Sequence, residues 1–193
     1  MTKEQSMVDR FAELTLHLCA QSRDDERFGV TKLNKLLFLV DAEAFRRSGK
    51  TITGVEYQKL PHGPCPRPMV PVLRKLEASG ELSVEERDFH GRTQRRPVAT
   101  RAADLSLFSD EELGIVEETV SREESSSASE LSERTHRMPA WRCVEDNDTI
   151  PLDLLLVESA DVHPASEEVL AWAASLEDPF ATVEEPALAG ACP

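Results

Sequence analysis

Apolar residues recur at helical spacing along most of the chain. The first such stripe predicts an amphipathic helix for which Ser6 is a suitable N-cap. Its members are Met7, Phe11, Leu14 and Leu18. A polar run over residues 21–27 ends this helix.

The second stripe is the most hydrophobic in the chain and predicts a helix at the centre of the core. Thr31 is its expected N-cap, and the cations Arg46 and Arg47 followed by Gly49 are typical of a helix end. The predicted buried face consists of Leu33, Leu36, Leu37 and Val40.

The spacing of apolar residues changes twice in the middle of the chain. Residues 51–60 indicate a short β-like segment, whereas residues 61–66 contain three prolines and a glycine and predict a rigid turn without regular structure. A third helix is expected between Pro68 and Gly80. Residues 82–100 then predict a β-hairpin with His90-Gly91 at its tip.

The C-terminal half returns to a helical pattern. Ser109 and Glu112 form a capping box that opens a fourth helix, and a short helix is expected from about Ala128. A turn that buries Trp141 follows, then a short apolar segment over residues 152–156. The fold class is therefore mainly α, a compact helical domain with a small β-hairpin over residues 1–157.

Residues 158–193 are an acidic C-terminal extension, for which the sequence predicts an amphipathic helix at about 164–177 and a disordered tail after it. The net charge of the whole chain is -14, and this segment carries eight carboxylates without any lysine or arginine. Such asymmetry indicates a charged partner or a solubilising tail. The residues expected to bind a partner, or to pack on the chain's own domain, are Glu167, Glu168, Val169, Trp172 and Leu176.

Several classes of protein are not expected. The chain lacks an apolar run of about 18 residues and a signal-peptide pattern, so we expect a cytoplasmic protein without a membrane partner. Its four cysteines and five histidines have neither disulfide-framework nor metal-ligand spacing. We expect no metal and no cofactor.

Catalytic and nucleic-acid sites have only weak signals. His62 and Cys65 lie three apart in the proline-rich turn, but no third group orients them, so we interpret them as structural. His136 is expected to pack at a helix end, and we predict that the protein is not an enzyme. The arginines of the hairpin either contact phosphates or are simply solvated, and these are Arg92, Arg95 and Arg96.

Three segments resemble the Panacea antitoxin-domain family, whose members include SocA-like and phage-associated GepA-like proteins. The three segments are Lys32–Glu43 (KLNKLLFLVDAE), Gly54–Pro66 (ending in YQKLPHGPCP from Tyr57), and Leu131–His136 (LSERTH) with Pro139-Ala140-Trp141 and Ile150-Pro151. The resemblance extends over about residues 5–157. It departs from the family pattern at Leu60-Pro61, where a tryptophan is usual, and at Cys65-Pro66.

The resemblance implies a mostly helical antitoxin of a type II toxin–antitoxin system that neutralises a toxin, typically one that blocks translation, by direct binding. One branch of the family resembles adaptors that deliver the toxin to an AAA+ protease. The motif positions carried over are Lys32, Leu36, Asp41, Gly63, Pro64, Thr135, His136 and Trp141. A DNA-binding regulator that uses residues 67–101 as a helix with a wing remains the alternative.

Overall fold

Helix α2 lies at the centre of the fold. In the computed structural model, which describes residues 3–156, α2 packs against α1, α4, α5 and the strand β2. The helices are α1 Lys3–Gln21, α2 Val30–Ser48, α3 Met69–Ala78, α4 Asp110–Glu123, α5 Ala128–His136 and α6 Pro139–Arg142, with 3-10 turns at Leu105–Leu107 and Leu152–Leu155. The strands are β1 Tyr57–Leu60, β2 Gly63–Pro66, β3 Leu82–Phe89 and β4 Arg92–Ala99.

The burial of α2 confirms the prediction of a central helix. Every residue from Lys35 to Ala42 is buried, which is the pattern of a helix enclosed on all sides. The predicted end is also confirmed, because Gly49 is the C-cap in the left-handed conformation at φ 70°. The predicted start was wrong: Gly29, and not Thr31, is the N-cap.

Residues 61–66 contradict the prediction of a turn without regular structure. Strands β1 and β2 form an antiparallel hairpin in which Lys59 is opposite Pro64 and Tyr57 is opposite Pro66. The backbone of Tyr57 and Lys59 hydrogen-bonds on its other side, to residues 147–150. The two prolines therefore stand at the non-hydrogen-bonded positions of an edge strand, where the ladder needs no N–H from them.

The second hairpin has the predicted position. Strands β3 and β4 pair from Leu82 opposite Ala99 to Phe89 opposite Arg92. The tip residues His90 and Gly91 both have positive φ, 54° and 76°, as a two-residue hairpin loop of this twist requires. The expected helical domain with a small hairpin is confirmed, and the structure adds the shorter β1–β2 hairpin.

Capping explains where the later helices begin. Complete capping boxes start α4 at Ser109 with Glu112, as predicted, and α5 at Ser127 with Glu130. Helix α1 begins at Lys3, so Ser6 lies inside the helix and is not its N-cap. The segment 158–193, with the helix predicted at 164–177, lies outside the described residues.

Within residues 3–156, none of the helices combines the length and apolar character that crossing a lipid bilayer requires.

Candidate functional site

The buried polar residues of α2 organise the site. Lys32, Lys35 and Asp41 lie on a helix that is otherwise surrounded by apolar side chains, and each is at most 2 % exposed. Buried charges need partners, because their desolvation is costly. The partners of these three residues come from distant parts of the chain.

Asp41 attaches the segment after α2 to the helix. Its carboxylate accepts hydrogen bonds from the N–H groups of Ile52 and Thr53 at 2.8 and 3.0 Å, and from the hydroxyls of Thr53 and Tyr57. Burial raises the pKa of Asp41, and the hydrogen bonds from Thr53 and Tyr57 offset part of that rise. The arrangement fixes the start of β1 against α2.

Lys32 ties α2 to the loops at one end of the molecule. Its Nζ lies 2.7 Å from the Asp25 carboxylate and 3.0 Å from the carbonyl oxygen of Glu124. Leu36, one turn further along, is a core residue at 1 % exposure. These two motif positions are therefore structural.

Lys35 is the most unusual group in the site. Its Nζ donates to the carbonyl oxygen of Pro64 at 3.1 Å, and burial lowers its pKa to about 8. A methyl group added at Gly63 would lie 2.6 Å from Cε of Lys35 and 3.0 Å from Oγ1 of Thr135. Gly63 also has a φ of 107°, so both conformation and space require glycine here.

The closing motif packs beside this group. The rings of His136 and Trp141 stack with centroids 4.4 Å apart, and the Lys59 ammonium lies 5.2 Å from the Trp141 ring centroid. Burial, followed by the charges of Lys35, Lys59 and His62, lowers the pKa of His136 and favours a neutral imidazole. Nε2 of His136 has no hydrogen-bond partner among the described residues.

The cluster reaches the surface at a cavity of about 260 Å³ that includes His62, Ser132, Glu133 and His136 in its lining. The hydroxyl of Ser132 donates to the carbonyl oxygen of His62 at 2.7 Å and holds the β1–β2 turn against α5. His62 and Glu133 are exposed, whereas His136 is half-buried. We call this surface, formed by His62, Ser132, Glu133 and His136, the motif cavity.

The structure therefore brings five motif positions together and uses the other three elsewhere. Gly63, Pro64 and Thr135 surround the Lys35 amine, while His136 and Trp141 stack next to them. Lys35 itself was missed as a site residue, although its spacing of three from Lys32 places both on one side of a helix. Tyr57 and Thr53 were also missed, and no local sequence signal indicates their contact with Asp41.

The geometry does not favour cysteine chemistry. Cys65 is 9 % exposed, and burial raises the pKa of its thiol, which opposes formation of a thiolate nucleophile. Within residues 3–156 there is no group of three or more His, Cys, Asp or Glu side chains arranged to bind a metal ion.

The prediction that Arg96 contacts a phosphate or is solvated was wrong. It is 5 % exposed, and its guanidinium donates to the carbonyl oxygens of Ser22, Arg23, Asp25 and Phe28 at distances from 2.5 to 3.3 Å. The guanidinium is therefore not available to a phosphate. Arg92 and Arg95 are exposed, as a nucleic-acid contact would require.

The residues predicted to bind a partner lie outside the described part of the chain. These are Glu167, Glu168, Val169, Trp172 and Leu176.

Comparison with known proteins identifies one family. A family model described as "Antitoxin SocA-like, Panacea domain" matches residues 33–142, which include most of α2, both hairpins and the stacked His136 and Trp141. No curated protein matches the chain, and no solved structure does. The match covers more than half of the sequence and contains all the motif positions except Lys32, which immediately precedes it, so the chain belongs to the SocA-like antitoxin family with a Panacea domain.

Proposed function

We propose that this protein is the antitoxin of a type II toxin–antitoxin system and neutralises its cognate toxin by protein–protein contact. Family membership supports a general antitoxin role with a toxin as partner. The proposal adds direct binding as the mechanism and translation as the process that the toxin blocks.

The observation that carries the proposal is the meeting of the three motif segments at one place. Residues of the β1–β2 turn and α5 surround the Lys35 amine of α2, and other residues of the same turn and of α5 line the motif cavity. Buried interlocking residues hold this surface in one shape, and a preorganised surface loses less entropy when it binds. We propose that His62 and Glu133 contact the toxin.

The acidic segment is proposed as a second contact. A toxin that acts on RNA needs a positive site for phosphates, and carboxylates such as Glu167 and Glu168 complement a site of this kind. Val169, Trp172 and Leu176 would add an apolar anchor within the acidic surroundings. The alternative for this segment is that it only keeps the protein soluble.

Binding, and not catalysis, is the activity that the site supports. The buried thiol of Cys65 and the neutral, stacked imidazole of His136 both serve packing. The family description names an antitoxin, and this supports a role in binding.

Two alternatives concern how the protein acts. Delivery of the toxin to an AAA+ protease would require the same toxin contact, followed by degradation. A DNA-binding regulator would use α3 with the β3–β4 hairpin, and the exposed Arg92 and Arg95 favour it, whereas the buried Arg96 does not.

The proposal is tested by co-expressing the protein with the product of the neighbouring gene and measuring growth. The native chain should restore growth, and the double variant His62→Ala with Glu133→Ala should fail to do so. A matched variant, His90→Ala with Glu86→Ala, removes the same exposed residue types from the hairpin and should neutralise normally. Loss of toxin protein during rescue would indicate delivery to a protease. If the motif-cavity variant restores growth normally, the motif cavity is not the toxin contact.

A further inference from the structure

A second cavity, of about 420 Å³, lies between the β3–β4 hairpin and the first residues of α2 and α5. Its lining contains no carboxylate, although the chain as a whole carries a net charge of -14. The cationic residues in its lining are Arg27, Lys32, Arg92 and Arg95. We call it the arginine cavity.

The positive charge of the arginine cavity is only partly compensated. Lys32 is paired with Asp25, which lies 2.7 Å away. Arg27, Arg92 and Arg95 are exposed, and none of them forms an ion pair with any residue in the range 3–156. A guanidinium group remains charged at all ordinary pH values and can donate two parallel hydrogen bonds to the oxygens of one phosphate. The charge of Glu130 acts on Arg27, and Glu86 lies opposite Arg95 in the hairpin, so the compensation is partial. Three arginines without a close ion pair suit an anion with several charges better than a single carboxylate.

The backbone around the cavity permits close approach. Gly29 lies where α2 meets β4, and a methyl group there would be 3.0 Å from Cγ of Gln94 and 3.1 Å from the carbonyl oxygen of Arg95. A larger residue would separate the two elements and widen the cavity. Gln94 is also fixed, since its side-chain amide donates to the carbonyl oxygen of Glu26 at 3.1 Å. The arginines therefore project from elements with a defined separation.

The charge next to the cavity limits the length of the ligand. A neighbouring cavity of about 500 Å³, which shares Arg27 and Phe89 with the arginine cavity, includes Asp24, Glu26 and Glu124 in its lining. These carboxylates repel an extended nucleic-acid strand within the Debye length of about 8 Å. A compact anion that stays inside the arginine cavity avoids them.

Phe89 supplies an aromatic ring to the same lining. Arginines beside an aromatic ring provide phosphate contacts together with a stacking surface, which is the combination that nucleotides require. A volume of about 420 Å³ is within the range of small-molecule sites. We infer that the arginine cavity binds a nucleoside diphosphate or triphosphate, with its phosphates on Arg27, Arg92 and Arg95 and its base against Phe89. This is a binding site in addition to the proposed antitoxin function.

Isothermal titration calorimetry of the full chain with ATP and with inorganic pyrophosphate tests this inference. Both should bind, and Arg92→Gln or Arg95→Gln should weaken both by about tenfold or more, because each removes charged hydrogen bonds. Phe89→Leu should weaken ATP and leave pyrophosphate unchanged. The matched control is Arg74→Gln, an exposed arginine of α3 outside the cavity, which should leave both affinities unchanged. Thermal melting should confirm that all the variants are folded.

Three results would overturn the inference. One is the absence of ATP binding to the native chain. Another is an equal loss in Arg74→Gln and Arg95→Gln, which would mean attraction by general surface charge. The third is a short single-stranded oligonucleotide that binds more tightly than ATP and is weakened by the same variants, since that would assign the arginines to nucleic acid.

Discussion

The amine of Lys35 and the missing side chain of Gly63 depend on each other. The amine occupies the space that a β-carbon at position 63 would need, and its hydrogen-bond acceptor is the next residue, Pro64. Thr135 closes the same space from α5. A change at any of these positions therefore affects all three motif segments.

Gly63→Ala should destabilise the fold by about 3 kcal/mol, because it combines backbone strain at a φ of 107° with a steric clash against Lys35 and Thr135. Gly80→Ala is the matched control. That glycine also has a positive φ, 72°, but its added methyl group would meet nothing within 4 Å. Urea denaturation of both variants measures the difference, and equal losses would show that packing at position 63 contributes nothing.

The lowered pKa of Lys35 predicts a specific dependence of stability on pH. Its pKa is about 8 in the folded protein against an ordinary value of 10.5, so between these values the unfolded chain binds more protons. The free energy of unfolding therefore rises with pH in this window, by about 3 kcal/mol over its whole width. Below pH 8 the amine is charged in both states and contributes no slope.

The measurement compares the native protein with Lys35→Met by urea denaturation from pH 7 to pH 10. Relative to the variant, the native protein should gain stability as the pH rises above 8. A difference between the two proteins that stays constant across the series would contradict a depressed pKa at Lys35.

At the scale of elements, α2 and the β3–β4 hairpin could be predicted because their signals are local. The apolar stripe with its terminal Gly49 and the pair His90-Gly91 at the tip act over a few residues. Strand β2 could not be predicted in this way. Its prolines are tolerated because they lie opposite Tyr57 and Lys59, whose backbone groups hydrogen-bond to residues 147–150 and not to β2. That contact involves a distant part of the chain.

Arg96 holds two elements together, since its guanidinium binds carbonyl oxygens at and beyond the end of α1. Arg96→Met should lower the free energy of unfolding by about 3 kcal/mol, because it removes a buried charged donor that hydrogen-bonds to four carbonyl oxygens. The adjacent Arg95→Met removes an exposed side chain and should change stability little. Thermal or urea unfolding of both variants measures the difference. Equal losses of stability in Arg96→Met and Arg95→Met would contradict the structural role assigned to Arg96.

At the scale of the whole molecule, the candidate site shows what a motif can and cannot reveal. The resemblance identified Gly63, Thr135 and His136 from the sequence, yet only the fold shows that they meet around Lys35. For Arg96 the sequence was misleading. Its position in the hairpin suggested the same exposure as Arg92 and Arg95, but the fold buries it. Both depend on contacts between residues far apart in sequence, which spacing does not encode.

Deletion of residues 158–193 is predicted to weaken toxin binding. The segment carries eight carboxylates without lysine or arginine, so its contribution should fall as the salt concentration rises. Calorimetric titration at low and high salt measures both effects. Full affinity in the deleted protein at low salt would refute the acidic contact while leaving the antitoxin function intact.

We propose that the protein neutralises a toxin by binding it directly. The most direct measurement is a calorimetric titration of the purified chain with the purified product of the neighbouring gene. We expect a stoichiometric complex with a Kd below about 1 μM, weakened at least tenfold by His62→Ala with Glu133→Ala and unchanged by His90→Ala with Glu86→Ala. Growth rescue without any detectable complex would contradict it.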